Sequence, residues 1–532
     1  MSEKHESYDY IVVGAGGSGA IVASRLSEDP SASVLLIERG GKGRNPMLYI
    51  PKGFYFTLKS DRLTTTYPAE QSSTGYIEPW QRGSVLGGST AVNGMMYLRG
   101  HSADYDRLAA AGSPEWNWDT VLGAFRAIED HSLGASTMRG VGGPVGITVP
   151  RDSDDEMANL ILAAARKCGW ENVEDINAQD QQQIGFTPVT IKAGIRQSTA
   201  NTFLWPARKR KNLTILTNAT VGQLRFDGSR VIGVSARHGR SLHTYQARKE
   251  VILSAGAIET PLLLERSGIG RGDVLRNAGV AVRIDSPNVG ERLIEQHGVS
   301  LQVYFKREIG RTLALSSKPK QLMQGVRYLA TRNGPVGTGG YDLTAHIKSS
   351  PEVERPDIQV IGIPFALSDG ANPAKKPGMM LAGYQIRPNS RGSIHIQSAV
   401  PESAPVIRTN YFEDAEDRRV TGVIIEHLRK VATQEPLASE ISFEDFPGEK
   451  VQTEAQVLEF GLSPGTSLYH AVGTAAMGPA DDDVVTPDLR VRGVEGLRIV
   501  DISVLPGQVS GNSAAPAMAI GWIAADLIRN SQ

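Results

Sequence analysis

The strongest constraint on this chain lies near its start, where an apolar run, Tyr10-Ile-Val-Val13, opens directly into Gly14-Ala-Gly-Gly-Ser-Gly19. Gly14, Gly16 and Gly19 form a GxGxxG, and a second apolar run, Val34-Leu-Leu-Ile37, ends in Glu38. Strand, glycine turn, helix, strand and acid at these offsets are the fingerprint of a dinucleotide-binding βαβ unit. Gly14 permits the tight turn, Gly16 lets backbone approach a pyrophosphate, and Gly19 lets the helix sit close on the strand. The helix predicted over 20–27 offers unpaired N–H groups and its positive dipole end to phosphate. Gly17 and Ser18 belong to the same cradle, Glu38 accepts hydrogen bonds from a ribose diol, and Arg39 stands beside it. An adenine dinucleotide is the expected ligand.

A length of 532 residues exceeds what one hydrophobic core usually serves, so two domains are expected. The net charge of −1 argues against nucleic acid as a partner. The one basic run, Arg208-Lys-Arg-Lys211, reads as cations on the last turn of a helix. A single cysteine, Cys168, excludes an internal disulfide, a CxxC redox pair and a multi-cysteine metal site, and no metal is expected. No apolar run approaches the roughly 18 residues of a transmembrane segment, and no signal-peptide core is visible, so the expected location is cytoplasmic. The sequons at Asn212 and Asn218 carry little weight in that setting.

Motifs of cofactor type recur along the chain. A glycine-rich loop, Gly83-Ser-Val-Leu-Gly-Gly-Ser-Thr90, follows the fingerprint; Glu250-Val-Ile-Leu-Ser-Ala-Gly-Ala257 is a buried strand ending in small residues; Leu497-Arg-Ile-Val500 is a strand ending in Asp501. One dinucleotide domain must therefore be assembled from separated segments, with a second domain inserted between them. In the inserted pieces 357–363 and 392–397 alternate like strands and 414–433 has a helical period, which fits a mixed or antiparallel sheet with helices on one face.

Taken together, these motifs resemble the glucose–methanol–choline (GMC) family of FAD-dependent alcohol oxidoreductases, over nearly the whole length. The resemblance rests on Gly83-Ser-Val-Leu-Gly-Gly-Ser-Thr-Ala-Val-Asn-Gly-Met-Met-Tyr97, on Gly256-Ala-Ile-Glu-Thr-Pro-Leu-Leu-Leu-Glu-Arg-Ser-Gly-Ile-Gly270, and on Tyr469-His-Ala-Val-Gly-Thr474 with Asn512 beyond it. Ser84 stands where a basic residue is usual, and Gln296-His297 where an Asp-His pair is common. The resemblance implies an α/β fold: a Rossmann-like FAD-binding domain with an inserted substrate domain. The cofactor motifs assign 1–150, 196–296 and 467–532 to the first, and 151–195 and 297–466 to the second. It implies that Gly87, Gly88, Ser89, Asn93 and Gly94 lie against the flavin and pyrophosphate, that Asp501 meets the ribityl chain or pyrophosphate, and that Val221 passes backbone groups to the adenine. Val92 occupies the position where some relatives carry a flavin-linking histidine, so non-covalent FAD is expected.

Alcohol oxidation needs a hydride acceptor, which FAD supplies, and a base for the hydroxyl. Histidine suits the second task because its pKa lies near working pH. By the same resemblance His470 is that base and Asn512 the group that holds the substrate oxygen, although asparagine before an apolar helix is also a common cap. The expected substrate lining is Tyr341, Phe365 and Leu468. The alcohol is not legible, and oxygen or a quinone-type carrier serves as acceptor, with a dehydrogenase slightly favoured over an oxidase. Two rivals share the fold: a flavin-containing hydroxynitrile lyase and a non-turning-over FAD-binding protein. Gly461-Leu-Ser-Pro-Gly465 is a literal GxSxG, but Pro464 has no N–H for an oxyanion hole, so a hydrolase is not expected. Oligomeric state is not legible.

Overall fold

The computed structural model describes residues 6–150, 155–368, 372–463 and 467–531. The strand Glu6–Val13 lies inside a seven-stranded sheet. Its residues 10–13 are buried, as parallel strands covered on both faces require. Val34–Glu38 and Ser241–Leu253 flank it in parallel, and Leu213–Thr217 and Leu497–Ile499 extend the parallel ladder on either side. Ser241–Leu253 also turns back on Arg230–His238, which pairs with Ala219–Asp227, both antiparallel. Segments from the beginning, middle and end of the chain thus share one sheet.

Helix Gly19–Leu26 leaves the first strand at Gly14, whose φ of +100° favours glycine. A Cβ at Gly19 would sit 2.0 Å from the Gly14 carbonyl oxygen, so only glycine lets the helix begin there. The last helix, Ala514–Asn530, packs beside it: Arg25 pairs with Asp526 at 2.9 Å and lies 4.0 Å over the Trp522 ring. Within the basic run, Arg210 donates to the Ser27 hydroxyl (2.9 Å) and to the Ser24 carbonyl, serving the end of helix Gly19–Leu26 rather than its own segment. Pro464 and Gly465 lie outside the described residues.

A second seven-stranded sheet runs in the order Ile441–Phe446, Gly298–Phe305, Gly378–Gln385, Ile358–Ile363, Leu343–Ile347, Gln183–Phe186, Glu171–Asn172. All its pairs are antiparallel except the last. Helix Ala415–Ala432, capped by Asp414, lays Val420, Ile424 and Leu428 on one face of it, in a core shared with Val299, Leu301, Leu343, Ile358, Val360 and Leu381. The strand period of two then turns the alternate residues to the other face. His346, Gln359 and Tyr384 are direct cross-strand partners and form one buried row there.

The segment expected as a sheet strand over 392–397 differs. Ser393–His395 forms a short hairpin with Val406–Arg408 instead, and Ile394, Ile396 and Ile407 pack against Ile258 and Leu262 of helix Gly256–Arg266. His395 is drawn there by Glu265 (2.6 Å) and Glu291 (3.0 Å). The buried Glu265 carboxylate and the partly exposed Glu291 outweigh the weak strand preference of a three-residue apolar alternation.

Candidate active site

One cavity of about 390 Å³ is lined by the fingerprint, by the loop after Gly83, by strand ends near Glu38, Val221 and Asp501, and by His470 and Asn512. At the fingerprint the backbone is bare: no heavy atom lies within 4 Å of a Cβ built on Gly16. Gly88, φ +50°, packs so tightly that its Cβ would meet the Gly16 Cα at 2.7 Å. The Glu38 carboxylate is buried at the cavity wall, accepting from Ala15 N–H (2.9 Å) and Gly40 N–H (2.8 Å). Burial raises its pKa. A bare glycine cradle at a helix N-terminus with an acid at the next strand end fits a dinucleotide's pyrophosphate and ribose.

The expected cofactor residues divide into groups. Gly14, Gly16, Gly17, Ser18, Glu38, Arg39, Gly88, Ser89, Asn93, Gly94, Val221 and Asp501 line the cavity. Gly19 and Gly87 do not: Gly19 serves helix packing, and Gly87, φ +93°, is a turn whose N–H donates to the Ala15 carbonyl (2.8 Å). Several lining residues are committed to protein partners. Ser18 donates its hydroxyl to the Ala517 carbonyl (2.6 Å), and Arg39 pairs with Glu259 (2.8 Å). Asp501 accepts from the Gly256 N–H (2.9 Å), the Thr260 hydroxyl (2.6 Å) and the Ser503 N–H (2.9 Å), tying a strand end to the start of helix Gly256–Arg266. A Cβ on Gly94 would strike the Tyr341 ring at 2.4 Å, so that glycine makes room for Tyr341. Asn93 is held by Arg196, which is wholly buried and donates to its carbonyl (2.7 Å) and side-chain oxygen (2.9 Å).

His470 and Asn512 meet, with Asn512 Nδ2 donating to His470 Nε2 at 3.0 Å. The Gln296 side-chain oxygen lies 2.6 Å from His470 Nδ1, so Nδ1 carries the proton and Nε2 the lone pair. The backbone fixes the ring from both sides. His470 N–H donates to Glu295 (2.7 Å), its carbonyl accepts from Gln508 (2.9 Å), and Tyr469 before it has a φ of +62°. Asn512 caps nothing; helix Ala514–Asn530 begins after Ser513, and the Asn512 oxygen accepts from Gln359 Nε2 (3.1 Å). Gln359 in turn accepts from His346 Nε2 (3.3 Å), and His346 Nδ1 from His101 Nε2 (3.4 Å). Every donor in this relay points toward His470 Nε2, so the amide of Asn512 is fixed with its NH2 toward that ring nitrogen.

The expectation of a histidine titrating near working pH is corrected by its surroundings. Burial, and then the Arg82 guanidinium, push His470 down to about 3. Burial likewise lowers His101 and His131 to about 4 and His346 to about 3. These groups bind protons only when unfolded between about 6.5 and those values, so the stability they contribute is lost as pH falls through that window. Glu295, raised by burial to about 8, and His395, raised to about 9 by Glu265 and Glu291 against its burial, work oppositely and lose stability as pH rises. We expect thermal denaturation across pH to show a maximum near neutrality. On its acid side the slope reaches at most roughly 4 kcal/mol per pH unit. A melting temperature that still increases as the pH is lowered from 7 to 5 would contradict this.

Of the expected substrate residues, Tyr341 and Leu468 line the cavity, together with Phe54, Leu58, Ile361 and Tyr469. Phe365 does not. It is buried behind the wall, against the Tyr55 ring (5.9 Å) and under the Lys52 ammonium (5.9 Å). Sequence reasoning missed Gln359, His346, Arg82 and Arg196. For the first two a signal existed, since a polar residue in an apolar strand is out of pattern.

Comparison with known proteins agrees with this geometry. An uncharacterised GMC-type oxidoreductase of Mycobacterium tuberculosis is 36% identical, over 98% of this chain and 99% of its own. Mitochondrial choline dehydrogenase of Homo sapiens is 35% identical over 99% of this chain and 91% of its own. The crystal structure of pyridoxine 4-oxidase from Mesorbium loti superposes with a TM-score of 0.88 at 29% identity, covering 98% of each chain. Family models described as GMC oxidoreductase match residues 8–298 and 388–521. With its glycine cradle, buried acid and histidine–asparagine pair on that fold, the chain belongs to the GMC oxidoreductases, FAD-dependent enzymes that act on CH–OH donors.

Proposed function

We propose that this chain oxidises a neutral, largely apolar alcohol to its aldehyde or ketone, with His470 as base, Asn512 as oxygen-binding group and non-covalent FAD as cofactor. Residues 1–150, 196–296 and 467–532 form the FAD-binding part, and 151–195 and 297–466 the substrate part. One observation carries the reading: His470 Nε2 and Asn512 Nδ2 lie 3.0 Å apart in the cavity that the dinucleotide fingerprint also lines. Bound FAD supplies the hydride acceptor. His470 receives the hydroxyl proton at Nε2 while Gln296 holds Nδ1–H. Asn512 donates to the same oxygen and stabilises its developing negative charge without competing for the proton.

The depressed basicity of His470 decides the timing. A base near 3 does not deprotonate a resting hydroxyl, whose pKa is about 15.7 for water. It accepts the proton only as the carbon gives up its hydride and the oxygen becomes strongly acidic. Deuterium on the hydroxyl and on the carbon should therefore both slow the same observed step. The rate should show no His470 limb near pH 6.5.

Arg82 supports an uncharged substrate. It lines the cavity 5.6 Å from the Tyr469 ring, so a guanidinium cation, paired with Glu295 at 3.6 Å, stands at the cavity wall. A quaternary ammonium such as choline is repelled there, whereas Tyr341, Ile361, Leu468 and Tyr469 offer apolar and aromatic contacts. A quinone-type carrier is the favoured electron acceptor, ahead of oxygen.

A panel of aromatic and aliphatic alcohols with choline, added anaerobically and then assayed with oxygen and an artificial dye in parallel, tests the reading. Bleaching of the oxidised flavin band by apolar alcohols, with faster turnover on dye, is expected. An unchanged band with aldehyde and cyanide released from a cyanohydrin would establish a lyase instead. Because Val92 offers no nucleophile to the flavin, acid or heat should release intact FAD. Colour remaining with the precipitated polypeptide would refute the non-covalent proposal.

A further inference from the structure

Helix Lys318–Thr331 is amphipathic in the inverted sense. Its inward side carries Gln321, Gln324, Gly325 and Tyr328, whose hydroxyl donates to the Gly194 carbonyl at 2.9 Å. Leu322, Met323, Val326 and Leu329 point outward at 70%, 60%, 59% and 65% exposure. At 100° per residue these four span one arc of roughly 120°. Four large apolar side chains this exposed on one helix, while its glutamines face inward, are not explained by the fold.

The charge around this stripe has one sign. From 309 to 341 the sequence holds Arg311, Lys318, Lys320, Arg327 and Arg332 and no Asp or Glu, in a chain whose net charge is −1. Arg311 is spent on Asp155 and Asp342. Lys318, Lys320 and Arg327 are exposed and make no ion pair among the described residues. On the helical wheel they flank the apolar arc. Beyond the helix the chain runs through 332–340 to Tyr341 in the cavity wall, and the Val336 carbonyl accepts from Lys52 N–H (3.2 Å), two residues before the cavity-lining Phe54.

We infer that this helix docks the enzyme onto an anionic phospholipid bilayer, its apolar stripe entering the acyl boundary and its flanking cations meeting the headgroups, beside the wall of the substrate cavity. An apolar stripe bordered by Lys and Arg is what an interfacial helix requires. A helix that lies in the interface by its apolar stripe attaches peripherally and reversibly; no helix among the described residues is long and apolar enough to cross a membrane. The inference stands whatever alcohol is oxidised. It supplies a reason for the cavity wall to lie next to a surface where apolar alcohols and lipid-soluble electron carriers concentrate.

The test is sedimentation of the FAD-loaded enzyme with vesicles of phosphatidylcholine alone or mixed with phosphatidylglycerol. Binding to the anionic vesicles only, weakened by high salt, is expected. Leu322→Glu with Val326→Glu should abolish it. The triple Lys318→Gln, Lys320→Gln, Arg327→Gln should weaken it roughly a hundredfold, at about fivefold per basic residue. Both variants change exposed side chains only and should keep wild-type turnover of a water-soluble alcohol with dye. Absence of binding to either vesicle, or binding that both variants retain, overturns the inference. So does a concentration-dependent dimer that Leu322→Glu dissociates, which would give the stripe to a second copy of this chain.

Discussion

His470→Ala retains FAD but slows anaerobic reduction of its flavin by alcohol at least ~10²-fold, the loss typical of removing a positioned base. The expectation follows from the orientation of the ring. Gln296 holds Nδ1–H, Glu295 and Gln508 hold the backbone, and Nε2 is left as an acceptor in the cavity. Alanine removes that lone pair while leaving the glycine cradle untouched. The pH profile separates catalysis from packing. In the wild type, burial and Arg82 keep the histidine neutral down to about pH 3, so its rate should be flat through neutrality. In the variant the rate should climb as pH rises, because alkoxide then forms without a base. A variant that loses its yellow colour, or one with a flat profile, would show that the ring is a structural support.

Asn512→Ala is expected to lose of order 10²-fold in the same reduction rate, and the loss should persist at high pH. The amide contributes a hydrogen bond that strengthens as negative charge grows on oxygen, and raising the pH does not replace it. Its orientation depends on Gln359, which donates to the Asn512 oxygen and in turn accepts from His346. Gln359→Leu should therefore reproduce part of the defect without touching substrate, by letting the amide turn. Wild-type rates in Asn512→Ala would remove the asparagine from the site.

The dinucleotide half was legible because its signals are local. A strand, a turn with φ of +100° at Gly14 and an acid at the next strand end are fixed by a few neighbouring residues, and the same holds for the resemblance around Tyr469-His470. What was not legible depends on cross-strand neighbours. Gln359, His346 and Tyr384 are 13 to 38 residues apart yet form one row because their strands pair in register. Phe365 is expected in the cavity from its place in the inserted domain, whereas the direction of its side chain is set by Tyr55 and Lys52 from a distant segment. The basicity of His470 was misjudged for a related reason. Its own flanks say nothing about Arg82, which arrives from the hairpin Thr64–Pro68 and Pro79–Gly83.

The most direct measurement is a double-mutant cycle on the rate of flavin reduction, read by anaerobic stopped-flow for wild type, His470→Ala, Asn512→Ala and the double variant. Two side chains 3.0 Å apart acting on one substrate oxygen should be coupled, so the double variant should lose clearly less than the product of the single losses. A loss in the double variant equal to the product of the single losses would place them on different atoms, and reduction of His470→Ala at the wild-type rate would contradict the assignment of the base outright.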